Sequence, residues 1–247
     1  MRKILIFGGT TEGRELAGWC VRNGTAADVS VTTDYGARLL GSGDMLNVFT
    51  GKLDSREMQT LIRSGKYAAV VDATHPYAAE ATRNIRSACG SAGAQYFRLL
   101  REKSELSGTV VNSLSEAVEL LDRSDKTVLS TLGSKELSGL SAVKDSKSRI
   151  WLRVLPAEGI EELCVRLGFE RSHIITGKGP FTVGENVRHI RQSGAEILLT
   201  KESGSAGGYP EKITAARECN IETITIARPA EDGYSFEQLK DIIGELT

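Results

Sequence analysis

Cysteine and histidine are scarce in this chain, and the shortage removes a class of protein. Four cysteines, Cys20, Cys89, Cys164 and Cys219, are spread over 247 residues without a C-x-x-C pair, and the three histidines form no cluster. A structural zinc site needs ligands at recognisable spacing, so no metal is expected. The cysteines lie mostly in helix-like segments between apolar neighbours and read as reduced core thiols. No window has the length and apolarity of a membrane span, and no charged segment with an apolar stretch precedes the first strand, so a cytoplasmic protein without a membrane partner is expected. Neither charge is in excess: 31 Lys and Arg balance 32 Asp and Glu for a net charge of -1. That balance removes the electrostatic basis for nucleic-acid binding. The motifs G-x-S-x-G, Walker A and H-E-x-x-H are missing too, and with them the expected hydrolase, phosphate-loop and zinc-protease residues. Redox chemistry or ligand binding remains. A reductase asks little of side chains, because a cofactor carries the hydride and the protein aligns donor and acceptor.

What the chain does have is rhythm. Apolar runs at 3–7, 28–33, 46–50, 68–73 and 95–100 alternate with helical spacing at 14–22, 55–64 and 77–92. After Arg101 the alternation resumes, with strands expected at 109–111, 127–131, 150–154, 173–176, 196–200 and 223–227 and helices at 115–121, 158–167, 183–191, 210–218 and 236–246. Continuous runs such as "AAVVDA" suit strands covered on both faces, so the fold class is α/β, two Rossmann-like domains with mainly parallel sheets. With no internal repeat and no low-complexity linker, the expected division is 1–103 and 104–247, around an interdomain cleft.

Ligands of open α/β sheets gather beyond the carboxyl ends of the strands. The first such loop, Gly8, Gly9, Thr10, Thr11, Glu12, Gly13 and Arg14, is a strand-turn-helix segment. Its glycines permit close backbone approach, and the helix that follows points free amides at an anion. Phosphate suits it, and would offset the cost of Arg14 in a first helical turn. The spacing departs from G-x-G-x-x-G, and a tight turn with a solvent-facing arginine is the competing reading. After the second strand, Asp34 stands about where a ribose-binding acid would favour NAD, whereas Thr32, Thr33 and Arg38 would suit the extra phosphate of NADP; Asp34 is equally a helix cap. In "DATHPYA", Asp72, Thr74 and His75 precede Pro76, which suits a first helical turn and leaves His75 on a strand-end loop. There His75 either contacts ligand and donates a proton or bonds its own loop, with Asp72 as a capping group.

The second half has its own strand-end loops, which combine glycine with cations. Lys135, Arg153, Lys178, Lys201 and Lys212 are expected along one basic edge, on a protein that is neutral overall. A polyanionic small molecule fits such an edge. His173 and His189 read as structural or exposed.

Taken together, "ILIFGGTTEGRELA", "TGKLD", "DATHPYA", "TLGSKEL", "GPF" with Glu185 following, "TKESG" and the closing "IARP" resemble, in order and spacing, the precorrin-6A reductase family of cobalamin biosynthesis, including its cobalt-precorrin-6A branch. The resemblance implies an NAD(P)H-dependent oxidoreductase, with NADPH or NADH as cofactor and a tetrapyrrole as substrate. It implies hydride transfer to C19 of the macrocycle and a proton at C18. Acetate and propionate carboxylates of that substrate would account for the cations. Carried over, Gly8 to Arg14 would face the cofactor, and Thr74, His75, Pro76 and Tyr77 would border the nicotinamide or macrocycle. Lys201, Ser203, Gly204, Gly207, Gly208 and Lys212 would form the glycine-rich loop of the second domain. Glu202 departs from the Lys-Asn-Ser form of that loop. Two other classes stay open: a nucleotide-sensing protein without turnover, and a dehydrogenase of another polycarboxylate.

Overall fold

The computed structural model describes residues 3–41 and 43–246. They form two compact units: one runs through Glu102 and resumes at Ala230, the other spans Lys103–Pro229.

In the first unit β1 (Lys3–Phe7), β2 (Ala26–Val31), β3 (Leu46–Thr50), β4 (Ala69–Asp72) and β5 (Tyr96–Arg98) form a sheet of order β3-β2-β1-β4-β5, every pair parallel. The continuous apolar run of β1 is explained by burial on both faces. Ile4 and Ile6 meet Leu16, Ala17 and Cys20 of α1 (Thr11–Arg22), while Leu5 and Phe7 meet Met58 and Ile62 of α3 (Ser55–Gly65) and Ile85, Ala88 and Cys89 of α4 (Ala79–Ala92). α2 (Asp34–Leu40) buries none of its residues, so no apolar stripe announces it.

The last helix, α11 (Phe236–Leu246), corrects the expected domain division. Its Leu239 and Ile243 are fully buried in the cluster of Ile4, Ile6 and Leu16. The approach is fixed by backbone: Tyr234 donates to Arg98 O and Leu100 to Tyr234 O, each at 2.8 Å. At Gly233 a Cβ would lie 2.6 Å from Arg98 O, so only glycine allows this crossing. Residues 230–246 therefore belong to the first unit. An amphipathic stripe reveals that a helix has a buried face and not which sheet that face covers.

The second unit orders its strands β6-β11-β10-β7-β8-β9, again all parallel: β6 (Thr109–Val111), β7 (Val128–Ser130), β8 (Ile150–Val154), β9 (Ile174–Thr176), β10 (Ile197–Lys201) and β11 (Glu222–Ile226). Ile197 and Leu199 pack with Ala117 and Leu121 of α5 (Leu114–Asp122) and Cys164 of α8 (Ile160–Arg166). Leu198 and Leu129, pointing the other way, meet Ile190 of α9 (Val183–Ser193) and Ala215 and Ala216 of α10 (Tyr209–Glu218). Truncating such fully buried residues to alanine costs about 2–5 kcal/mol each. Residues 132–149, for which the sequence suggested no element, hold α6 (Leu137–Leu140) and α7 (Ser146–Arg149). His173 ends a short 3-10 turn rather than opening a strand, and stacks on Trp151. No helix among the described residues is long and apolar enough to cross a membrane.

Candidate functional site

In the first sheet the chain moves outward from β1 to β2 and returns to β4 on the other side, which makes the carboxyl ends of β1 and β4 the switch point. The loop after β1 is held tightly there. Gly8 donates to Ser30 O at 2.8 Å, and a Cβ on it would lie 3.1 Å from Val29 Cγ1. Gly9 takes φ +108° with nothing within 4 Å of where a Cβ would stand. A Cβ on Gly13 would be 3.0 Å from that of Ala73, so glycine lets α1 come up against the end of β4. Thr10 ties the two loops: its Oγ1 accepts from Gly13 N at 3.1 Å and donates to Ala73 O at 2.7 Å. This cap starts α1 at Thr11, earlier than the expected residue 14. Among the described residues, none accepts a hydrogen bond from the amides of Gly9, Thr10 or Thr11. Three open donors at a helix N-terminus, at a switch point, fit a pyrophosphate.

The other candidates of this unit fall into different roles. Glu12 turns to Arg101, which it meets through Nε at 2.5 Å and Nη2 at 2.8 Å. Burial alone would push the Glu12 carboxyl up; the hydrogen bonds and charge of Arg101 outweigh it and hold the carboxyl below its ordinary value. Arg14 is half-buried one turn into α1 and has no polar partner among the described residues. The cap that the sequence offered to Asp34 is made by Thr33, whose side chain accepts from Gly36 N at 3.1 Å. Asp34 is left exposed at the carboxyl end of β2, with Arg38 exposed a turn later.

Beyond β4 lies a buried network. Asp72 and Arg98 are 0% and 2% exposed and meet at 2.9 Å. Thr74 donates its amide and hydroxyl to Asp72 Oδ1, Tyr96 donates to Oδ2, and Arg98 reaches on to Thr74 O and to Glu231. His75 is exposed, and its Nδ1 accepts from Tyr77 N at 3.3 Å. Pro76 and Tyr77 form a turn, so the proline precedes the helix instead of opening it, and α4 begins at Ala79. Thr10, Glu12, Ala73, Thr74, Pro76, Leu99 and Arg101 line a small depression here.

In the second sheet the switch point lies between β7 and β10. Lys201, at the end of β10, forms an ion pair with Glu136 of the loop after β7. Glu202 is buried and paired with Arg228 at 2.8 Å, and its Oε1 accepts from Ser104 N and Gly204 N. The acid in "TKESG" thus acts inward, as the anchor of its own loop. Ser203 Oγ donates to Gly207 O at 3.1 Å, and Gly204 and Gly208 adopt positive φ. Lys212 Nζ also reaches Gly207 O, at 3.3 Å. Lys135 and Lys178 are exposed, whereas Arg153 is buried and bonded to Asn186 and His189. The single basic edge expected from the sequence is therefore divided: Arg153 is buried, Lys201 is paired with an acid, Lys212 is held against a backbone carbonyl, and Lys135 and Lys178 face solvent.

The family model described as Precorrin-6x reductase CbiJ/CobK matches residues 3–247. The chain belongs to this family. It is 33% identical over 232 residues to the cobalt-precorrin-6A reductase of Salmonella typhimurium, covering 92% of this chain and 87% of that protein. It is 33% identical over 242 residues to that of Methanothermobacter thermautotrophicus (92% and 76% covered) and 31% over 234 residues to the precorrin-6A reductase of Rhodococcus erythropolis (93% and 90%). The solved structure of CobK precorrin-6A reductase shares the fold, with a TM-score of 0.78 at 24% identity over 100% of this chain and 97% of that one. The reductase is accordingly an oxidoreductase of cobalamin biosynthesis.

Sequence reasoning passed over Arg98, Arg101 and Glu231 of this reductase. A signal for Arg98 existed: an arginine inside the apolar run Tyr96 to Leu100, in a sheet covered on both faces, requires a buried partner. Nothing local marks Glu231, whose role depends on the return of the chain to the first unit.

Proposed function

We propose that this protein reduces one double bond of precorrin-6A or cobalt-precorrin-6A, with NADPH or NADH as reductant. The observation that carries this reading is the family match through residues 3–247. When bound, the reduced nicotinamide supplies the hydride, delivered to C19 of the macrocycle, while C18 takes a proton.

The remaining work belongs to side chains and backbone. The open amides of Gly9, Thr10 and Thr11 hold the pyrophosphate, and Gly8 and Gly13 keep the loop low enough for it to approach. Asp34 and Thr33, at the end of β2, border the ribose, and Arg38 and Arg14 add positive charge for phosphate. Thr74, Pro76 and Tyr77 shape the neighbouring loop, which the buried Asp72–Arg98 pair keeps rigid. His75 accepts at Nδ1 from Tyr77, so its neutral form carries the proton on Nε2, the nitrogen assigned here as donor to C18. In the second unit Lys135, Lys178 and Lys201, with the loop from Ser203 to Gly208, engage the carboxylates of the macrocycle.

Anaerobic assays of NADPH or NADH oxidation with metal-free and cobalt-loaded macrocycle test the reading. Oxidation of nucleotide only when a macrocycle is present supports it. Nucleotide binding without turnover in all four combinations contradicts it and leaves a sensor.

A further inference from the structure

The loop after β1 carries an acid where an anion is expected to bind. Gly9, Thr10 and Thr11 present open amides, and the next residue, Glu12, folds its carboxylate back to accept from its own amide. An acid in the first turn of a helix suits the helix dipole, yet it competes with a phosphate for the same field and repels it. Unopposed, Glu12 would also cancel the charge of Arg14, two residues on. Arg101 opposes it. The guanidinium grips the carboxylate side-on, Nε to Oε1 at 2.5 Å and Nη2 to Oε2 at 2.8 Å, with the two side chains 8% and 19% exposed. This is the fork geometry in which an arginine neutralises a carboxylate.

Backbone bonds bring Arg101 within reach. Leu99 donates to Asp72 O at 2.9 Å and Leu100 to Tyr234 O at 2.8 Å, so the chain beyond β5 is held up to the residue before Arg101. Arg101, Glu12, Thr10 and Thr74 then line one depression, at the switch point of the sheet. Among the described residues, Arg101 is the charged group that acts on the Glu12 carboxyl, and Thr10 adds a hydrogen bond. Asp72, Arg98 and Glu231 are bound to one another, and His75 is exposed on the loop after β4. Burial pushes the Glu12 carboxyl up; the hydrogen bonds and charge of Arg101 pull it down, so without Arg101 it rises from its folded value.

We propose that Arg101 is a positioning residue of the nucleotide loop: it holds Glu12 and cancels its charge, so that the open amides and Arg14 meet the pyrophosphate without an opposing carboxylate. This rests on the reductase reading for the identity of the ligand. A pair that merely ties loop to strand would give the same sign whichever partner is removed. A counter-charge gives opposite signs. Removing Arg101 leaves a bare acid beside the phosphates, whereas removing Glu12 leaves an unpaired cation there.

The test uses the full-length protein and calorimetric titration with NADPH and NADH, which needs no turnover. Arg101→Met is expected to weaken nucleotide binding about tenfold, Glu12→Gln to tighten it about threefold, and the double variant to return within about threefold of the parent. Arg101→Lys, which keeps the charge without the fork, is expected to lose only about threefold. The double variant also removes the lone half-buried acid, so a fold lost in Arg101→Met does not remove the test. A pH series with NADP+ and NAD+, read against the parent at each pH, adds a signature that a loosened loop would not give. The Arg101→Met deficit shrinks as pH falls from about 7.5 to about 5, because the bound phosphates raise the Glu12 carboxyl and it takes up a proton. Weaker binding in both single variants overturns the counter-charge and leaves a tie. A double variant as weak as Arg101→Met also overturns it, and puts Arg101 on the phosphate itself. The expected pattern without macrocycle-dependent oxidation supports the counter-charge while removing the reductase reading. Macrocycle-dependent oxidation with equal nucleotide affinity in all variants does the reverse, and a parent that binds no nucleotide overturns both.

Discussion

The Arg98 guanidinium meets the Asp72 carboxylate at 2.9 Å across neighbouring strands, with both side chains almost wholly removed from water. Such a pair is weak evidence for net stability, yet breaking it leaves a lone buried charge. Here it also anchors two things at once: the loop that carries Thr74 and His75, and Glu231 on the returning chain. Arg98→Met is therefore expected to destabilise the protein by about 3–5 kcal/mol, and adding Asp72→Asn to recover part of that loss. Urea denaturation of the single and double variants checks this. Equal midpoints for Arg98→Met and the parent would remove the anchoring role.

The Thr10 hydroxyl closes α1 and joins its loop to Ala73. Thr10→Ala should cost about 1 kcal/mol in stability and weaken nucleotide binding more than macrocycle binding. Gly9→Ala, which forces a side chain to φ +108°, should weaken nucleotide binding with little effect elsewhere, since nothing crowds the added methyl. Nucleotide fluorescence titration measures both. Parental affinity in both variants would detach the loop from the cofactor.

Glu12 offers a pH test with a definite sign. Its folded carboxyl titrates below the ordinary value of 4.5, so its contribution to stability is fully present above that pH and fades as the pH falls through the folded value. Glu12→Gln should lower stability at pH 7 by on the order of 1 kcal/mol, and the gap from the parent should close under more acid conditions. Denaturation midpoints at pH 7 and at about pH 3 give the comparison. A gap of constant size at both would mean that charge plays no part.

His75→Ala should reduce kcat more than either KM, because the role assigned to the ring is proton donation and not adhesion. Steady-state rates with both substrates saturating decide it. A near-parental kcat would hand the proton to solvent.

Much of the fold was readable because β1 and β4 are continuous apolar runs, and runs of that kind need cover on both faces. α2 was marked only by the cap position at Asp34, because none of its seven residues is fully buried, and α11 was seen but placed on the wrong sheet because Leu239 and Ile243 suit any apolar face. At the site, Gly8, Gly9 and Gly13 stood out by residue type; a Cβ would be crowded at Gly8 and Gly13, and Gly9 takes a positive φ. The cations were harder. Lys201, Arg153 and Lys135 look alike in sequence, yet the first is paired with Glu136, the second is buried and the third is exposed. Those differences come from partners distant in the chain, which residue type and spacing do not encode.

A crystal structure of the protein with NADPH or NADH bound tests directly whether the loop after β1 holds the nucleotide. The pyrophosphate is expected on the amides of Gly9, Thr10 and Thr11, with Thr10 still joined to Ala73. A nucleotide ordered elsewhere, with those amides facing only water, would contradict that placement.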